Sequence, residues 1–259
     1  KISPNGEYIA AAVNHNDSNA LIFLKRSNMA SVGTAKLGGG YEVGNYYWVN
    51  NERVVIEMVK RVPWLEKPQS YGELFAINYD GSKAKLIYGY QMENTQTGSK
   101  LKRQKSIRGW ANIIDKLPED TNHILIESTP MSTTGERLSS ILKLNIYTGI
   151  IKNELGKSPI PFSHFVTDSK GKLKAVSGVD ENANKQVYLK KKNGWQKIPK
   201  GIFSNDVELI SISRSGKFLY TLDNPNQNFK GLFKLNLEDL TYKNIFTDKN
   251  VDITDMELT

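Results

Sequence analysis

A chain of 259 residues with 39% hydrophobic and 10% aromatic residues has enough apolar surface for a packed core, and 24% charged residues is too few for a disordered chain. The absence of cysteine excludes disulfide frameworks, thiolate metal sites and cysteine nucleophiles. A net charge of +8 raises the question of nucleic acid, which the placement of the charges answers below.

No run approaches about 18 consecutive apolar residues, so neither a membrane span nor a membrane partner is expected. The start, KISPNGEYIAAAV, has no basic-then-apolar leader and no cleavage-site pattern. It begins at Lys1 rather than Met, so a natural start and a leader upstream stay open. The compartment is open too, with a periplasmic setting slightly favoured over a cytoplasmic one.

In chain order, apolar runs alternate with polar turns. Ile2 to Val13 places Ser3-Pro4-Asn5-Gly6 before a strand, and Ala20 to Leu37 forms a hairpin. Gly38-Gly39-Gly40 lacks the strand-then-helix context of a phosphate loop and reads as a linker. Tyr46 to Val59 is a strand pair around Asn50-Asn51. Lys60 to Tyr71 leaves the pattern and carries Pro63, Trp64 and Pro68, the candidate residues for contact with a substrate or a neighbouring domain. Gly72 to Gly89 is a hairpin about Asp80-Gly81, and Tyr90 to Gly109 is a second departure, polar and basic. Asn112 to Thr129 and Ser139 to Gly156 repeat the two hairpins, the latter about Thr148-Gly149. They recur at His164 to Val179 and Lys185 to Gly201, about Asn193-Gly194, and again at Glu208 to Asp223 and Lys230 to Thr247.

Gly6, Asn51, Asn122, Gly171 and Gly216 mark equivalent turns at steps of about 45 residues, with one long interval made by an insertion. Two hairpins per step give four antiparallel strands. No stretch has helical period or caps, so the fold class is all-β, a β-propeller of four-stranded blades. Residues 1–259 read as one domain with blades near 1–38, 43–90, 110–157, 162–201 and 206–248, and an extra strand at 251–259 opening a next blade. Phe23, Phe75, Leu142, Tyr188 and Phe233 are the expected core between blades.

Chemistry is sparse. There is no G-x-S-x-G nucleophile elbow, and His15, His123 and His164 fall in different hairpins without metal-ligand spacing. Carboxylate pairs such as Glu119 with Asp120 and Asp180 with Glu181 sit in turns, where their conformational role suffices. No catalytic, cofactor-binding or metal-ligating residue is therefore assigned. The basic clusters, Lys100 to Arg108 and Lys185 to Lys200, occupy turn-like positions without a row of stacking aromatics, so nucleic acid is not an expected partner.

The stretch ISPNGEYIAAAV resembles the S-P-D-G-K-x-I-A blade motif of TolB-type propellers and of the propeller domains of prolyl oligopeptidase-family peptidases, with a weaker copy at Ser213 to Leu219. The order ALIFLKRSNM, YYWVNNERVVIEM, GELFAINYDGSKAKLI is similar to the amino-terminal region of acylaminoacyl-peptidase-like members of that family. The resemblance covers the first 90 residues or so well and the rest by repeat pattern. It implies a non-catalytic propeller that gates peptide access to a serine on a C-terminal α/β-hydrolase domain of the same parent, that domain being absent from these residues. The partners it implies are that domain and peptide substrates. No Glu-Glu pair is present to hold a substrate amino terminus as in dipeptidyl peptidases of the superfamily. The alternative is a free-standing, TolB-like periplasmic interaction module. Two arrangements of the ends are open: a five-bladed ring in which residues 251–258 pair with residues 7–13, or an arc of a seven- or eight-bladed ring, which the resemblance favours.

Overall fold

The computed structural model describes residues 1–15, 18–90, 107–131 and 137–256. Five antiparallel sheets follow one another, each with its strands in sequence order. The first holds β1 (Tyr8–His15), β2 (Ser18–Lys25) and β3 (Ser31–Ala35). The second holds β4 (Tyr41–Trp48), β5 (Arg53–Lys60), β6 (Gln69–Asn78) and β7 (Lys85–Tyr88). The third holds β8 (Gly109–Asp115), β9 (His123–Pro130), β10 (Ser140–Asn145) and β11 (Ile151–Lys157). The fourth holds β12 (His164–Thr167), β13 (Leu173–Val179), β14 (Lys185–Lys191) and β15 (Gly194–Lys197). The fifth holds β16 (Glu208–Ile212), β17 (Phe218–Asp223), β18 (Gly231–Asn236) and β19 (Tyr242–Phe246). These are propeller blades, and the hairpins read from the sequence are those observed.

The chain divides into two compact units. Unit 1 comprises Lys1–Thr133 and Ser140–Gly156, and unit 2 comprises Thr134–Ser139 and Lys157–Thr259. In unit 1 the second sheet is covered on both faces, which explains the unbroken apolar run on β5. Val54 and Ile56 point into a core shared with Leu21 and Phe23 of the first sheet. Val55, between them, points the other way, into a core with Ile124 and Leu144 of the third sheet. Each such side chain contributes about 1.5–3 kcal/mol by leaving water. In unit 2 the fourth and fifth sheets share a core of Val166, Ala175, Leu189, Leu209, Leu219 and Leu235. Of the expected core residues, Phe23, Leu142 and Phe233 are buried, whereas Phe75 and Tyr188 are only half-buried. Tyr188 lies on β14, opposite Lys197 of β15.

Two turns show why the repeat is legible. The Ser3 N–H donates to Tyr8 O at 2.9 Å, the Gly6 N–H to Ser3 O at 2.8 Å, and the Tyr8 N–H to Ser3 Oγ at 3.0 Å. Ser213, Gly216 and Phe218 make the same three bonds at 2.9, 2.8 and 3.1 Å. Gly6 and Gly216 hold φ of 74° and 70°, the left-handed conformation this turn requires. The third–fourth turn of the fourth sheet is displaced from its expected place. Gly194 pairs with Lys191 inside the ladder, so Lys192-Asn193 form the two-residue loop.

The first sheet has a stub where the others have a first strand. Ile2 bridges Ile9, and the Ala10 N–H donates to Lys1 O at 2.8 Å, so the chain's own first residues occupy the free edge of β1. The expected strand at 251–258 does not form: residues 251–256 are irregular and make no ladder with residues 7–13, while Leu258 lies outside the described residues. Instead the Ile253 N–H donates to Lys230 O at 2.9 Å, and Asp252 Oδ1 accepts from the Lys230 N–H at 2.7 Å. A short acidic side chain that bonds locally to backbone competes with a ladder, as Asp255 does by accepting from the Met256 N–H at 2.7 Å.

Gly72 allows the second and third sheets to approach. Its φ is 74°, and a Cβ built there would lie 2.2 Å from Trp110 Cα, whereas one at Gly6 would meet nothing nearer than 4.0 Å. Gly6→Ala is expected to cost about 1–2 kcal/mol from backbone strain alone. Gly72→Ala should cost about 3 kcal/mol or more, because overpacking adds to that strain. Urea unfolding of both variants checks the order, and equal losses would show that the sheets can part without penalty.

Candidate functional site: the turn-end cleft of unit 1

The turns of the three sheets in unit 1 surround a cleft of ≈ 810 Å³. Glu7, Tyr8, Asn51, Tyr79, Lys116 and Tyr147 are among its lining residues. They come from the first–second turns around Gly6, Asn51 and Pro118, and from the third–fourth turns that follow β6 and β10. Tyr79 and Tyr147 each stand just ahead of a glycine turn, Asp80-Gly81 and Thr148-Gly149, which places both rings at the sheet ends.

Arg53, at the start of β5, fixes these turns against one another and has no exposed surface. Its Nε donates to Ile146 O at 2.8 Å, Nη1 to Asn78 Oδ1 at 2.8 Å, and Nη2 to Lys83 O at 3.0 Å. The guanidinium lies 4.6 Å from the centre of the Tyr147 ring. Burial lowers its pKa, and the nearby Tyr147 and Glu52 oppose that shift. Asn50 extends the network. Its Oδ1 accepts from the Arg53 N–H at 2.8 Å, while Nδ2 donates to Thr121 O at 2.8 Å and to Tyr147 Oη at 3.0 Å. The Tyr147 hydroxyl in turn donates to Glu52 Oε1 at 2.7 Å.

On the other wall, Tyr8 stacks on Tyr79 with ring centres 3.8 Å apart. The hydrogen bond to Tyr8, together with burial, pushes Tyr79 up to about 12, so Tyr79 is a neutral phenol at ordinary pH. Burial likewise raises Tyr147, reinforced by Glu52. The cleft thus offers stacked aromatic faces, amides from Asn50 and Asn51, and carboxylates from Glu7 and Glu52. Such faces and amides are groups that can contact an extended or aromatic-bearing segment.

Trp64, Pro63 and Pro68 are elsewhere. They sit on the β5–β6 loop, which leaves the second sheet at the end opposite its turns, as does the β7–β8 connection. Trp64 is 81% exposed and Leu65 beside it 43% exposed. Pro63 is exposed too, and Pro68 is half-buried. The loop is tethered at its base by Arg61 Nε, which donates to the buried Glu42 Oε1 at 3.0 Å. That pairing lowers the Glu42 pKa. Residues 91–106 of the second departure, with Lys100, Lys102, Arg103 and Lys105, lie outside the described residues. In the other basic cluster, Lys190 sits 4.8 Å above the Trp195 ring and Lys191 donates to Leu237 O at 3.3 Å.

Two of the histidines have structural partners. His123 Nδ1 contacts Asp120 Oδ1 at 2.9 Å, and Asp120 is also paired with Lys143. His164 Nε2 meets Leu209 O at 3.1 Å. His15 ends β1.

No family model and no curated protein matches this chain. Among solved structures it is similar to the β-propeller domain of the trilobed protease from Pyrococcus furiosus, reported with an open velcro topology. The TM-score is 0.56 at 11% identity, covering 96% of this chain and 72% of that one. It is similar to the acylaminoacyl peptidase of Pyrococcus horikoshii at TM-score 0.52 and 10% identity, with 96% of this chain matched; it spans 39% of that peptidase's length. It is also similar to a structure of the complex of KlAtg21 with the coiled-coil of AgAtg16, at TM-score 0.51 and 10% identity over 92% of this chain and 67% of that one. The likeness is one of fold, the β-propeller.

Replacing Arg53 by Met keeps the bulk but strands Ile146 O, Lys83 O and Asn78 Oδ1. It is expected to cost about 3–5 kcal/mol, against about 1 kcal/mol for Tyr147→Phe, in urea unfolding. Arg61→Ala should destabilise in a pH-dependent way. Glu42, with its pKa depressed in the folded state, adds stability that is present above its unfolded pKa and lost as pH falls through the folded value. The difference between wild type and Arg61→Ala is therefore expected to be full at neutral pH and to shrink below about pH 4. A constant difference would show that the Arg61–Glu42 pair does not act through charge.

Proposed function

We propose that residues 1–259 are the non-catalytic propeller domain of a serine peptidase of the prolyl oligopeptidase type. In this reading the propeller restricts access to an active site on a C-terminal α/β-hydrolase domain, admitting short peptides and keeping folded proteins out. The observation that carries it is the likeness of fold, over 96% of the chain in each case, to the propeller domain of one protease and to an acylaminoacyl peptidase. The serine-and-glycine turn built at Ser3 and again at Ser213 supports it as the structural form of the S-P-D-G blade motif. Trp64 is a contact residue in this scheme. A large aromatic side chain standing in water on a surface loop is the residue type that anchors interfaces.

A second reading, a free-standing interaction propeller, is favoured by the turn-end cleft, whose aromatic and amide lining suits a protein segment. The likeness to KlAtg21, whose structure holds a coiled-coil partner, supports it too.

One labelling experiment separates them. The natural polypeptide, purified from its source, is treated with a fluorophosphonate probe and assayed on chromogenic acyl-aminoacyl peptides. Under the peptidase reading it labels on a serine outside residues 1–259 and turns over, residues 1–259 alone do neither, and Trp64→Ala lowers kcat/KM without changing thermal unfolding. A natural polypeptide that takes no label refutes the peptidase reading and leaves the interaction module.

A further inference from the structure

A second cavity of ≈ 480 Å³ lies in unit 1 where residues 36–40 lead from β3 into β4, and it shares no lining residue with the turn-end cleft. Its floor is apolar, made by Leu37, Met58, Phe75 and Leu86. Lys36 and Lys60 bring two ammonium groups to it, and no carboxylate lines it among the described residues. Lys60 Nζ stands 5.6 Å from the centre of the Tyr41 ring. Neither lysine is in an ion pair among the described residues. Lys85 also borders the cavity, but its ammonium is spent on Thr148 O at 2.9 Å. Gly38 and Gly39 complete the wall, and a Cβ placed at Gly38 would meet nothing within 4 Å, so the backbone there is bare.

The volume is within the range of small-ligand sites, about 300–1,000 Å³. The lining selects the ligand by elimination. A cationic ligand is repelled by Lys36 and Lys60. A neutral apolar ligand leaves both ammonium groups without a partner, and a small inorganic anion leaves the floor wet. A single negative charge attached directly to an apolar body satisfies both parts, since the body leaves water on the floor while the charge pairs at the mouth. The open glycine wall adds a third condition, because it gives a following chain room to leave the cavity alongside exposed backbone.

We propose that this cavity binds the C-terminal end of a peptide. The free carboxylate pairs with Lys60 and Lys36, the apolar last side chain rests on Leu37, Met58, Phe75 and Leu86, and the preceding residues leave across Gly38-Gly39. This site stands independently of the peptidase reading, since a propeller of either kind can carry it.

The test is isothermal titration calorimetry of residues 1–259 with three probes: acetyl-Ala-Ala-Leu as the free acid, the same peptide as its C-terminal amide, and dodecanoate. The free acid is expected to bind saturably and the amide about tenfold more weakly or worse, the loss appropriate to one charge-assisted contact. The double variant Lys36→Glu, Lys60→Glu should weaken the free acid by at least about tenfold while leaving the amide unchanged. Lys60→Gln serves in its place should the double variant fail to fold. Ala84→Trp, which fills the mouth from an exposed position, should abolish binding with thermal unfolding unchanged. Equal affinity for acid and amide, no saturable binding of the acid, or binding of dodecanoate without the peptide would each overturn the proposal.

Discussion

A guanidinium sealed from solvent must place its N–H groups or carry a large desolvation penalty, and Arg53 meets this by reaching three acceptors on two segments at once. One donor goes to the third sheet, at Ile146, and two go to the third–fourth turn of its own sheet, at Asn78 and Lys83. These bonds hold only if the second and third sheets keep one register and one separation. The ring of Tyr147 over the guanidinium and the carboxylate of Glu52 then have fixed positions, and the cleft above them inherits its shape. Hydrophobic burial pulls the sheets of unit 1 together without direction; the Arg53 network supplies the direction.

The same division between an undirected middle and a directed end recurs in unit 2 with the opposite charge. There the buried group is Asp223, which accepts from the Tyr242 hydroxyl at 2.9 Å, from the Asn224 N–H at 2.8 Å and from the Ser204 hydroxyl. Burial raises Tyr242, so it stays a phenol and remains a donor. Phe233 stacks on the same ring at 5.0 Å, joining the polar end of the fifth sheet to its apolar face. In both units a buried polar group bonded on several sides positions the elements that apolar packing has gathered.

For function, the two ends of the second sheet differ in kind. At the turn end, short turns locked by Arg53 and Asn50 present a shaped cleft of fixed aromatic rings. At the other end the chain lengthens into the Trp64 loop, tethered by Arg61 to Glu42. A recess of fixed shape and an exposed aromatic loop are thus two different kinds of surface carried by one sheet.

The all-β class, the repeat and most of the hairpins and turns are legible in the sequence, because these rest on local physics. Alternation of apolar residues sets a strand's faces, and Ser, Asn and Gly at fixed offsets set its turns, so ISPNGEY and SRSGKF announce the same bonds. The sequence also placed Trp64 on a departure from the repeat, because a break in period is visible without coordinates. Only the tertiary structure decided the rest. Residues 251–256 carry strand-like apolar residues, yet a strand needs a free edge to join, and here Ile253 and Asp252 bond the backbone of Lys230 while Asp255 bonds the neighbouring Met256 N–H. Arg53 could not be singled out, since nothing in V-N-N-E-R-V tells that its partners lie far along the chain at Ile146 and Asn78. The cleft was hidden for the same reason: Tyr8, Tyr79 and Tyr147 are far apart in sequence and meet only because three sheets end at one place. The sole hint was an aromatic residue set just before the Asp80-Gly81 and Thr148-Gly149 turns. Local bonding can be read from neighbours in the chain, whereas a site assembled from separate blades exists only once apolar burial has stacked them.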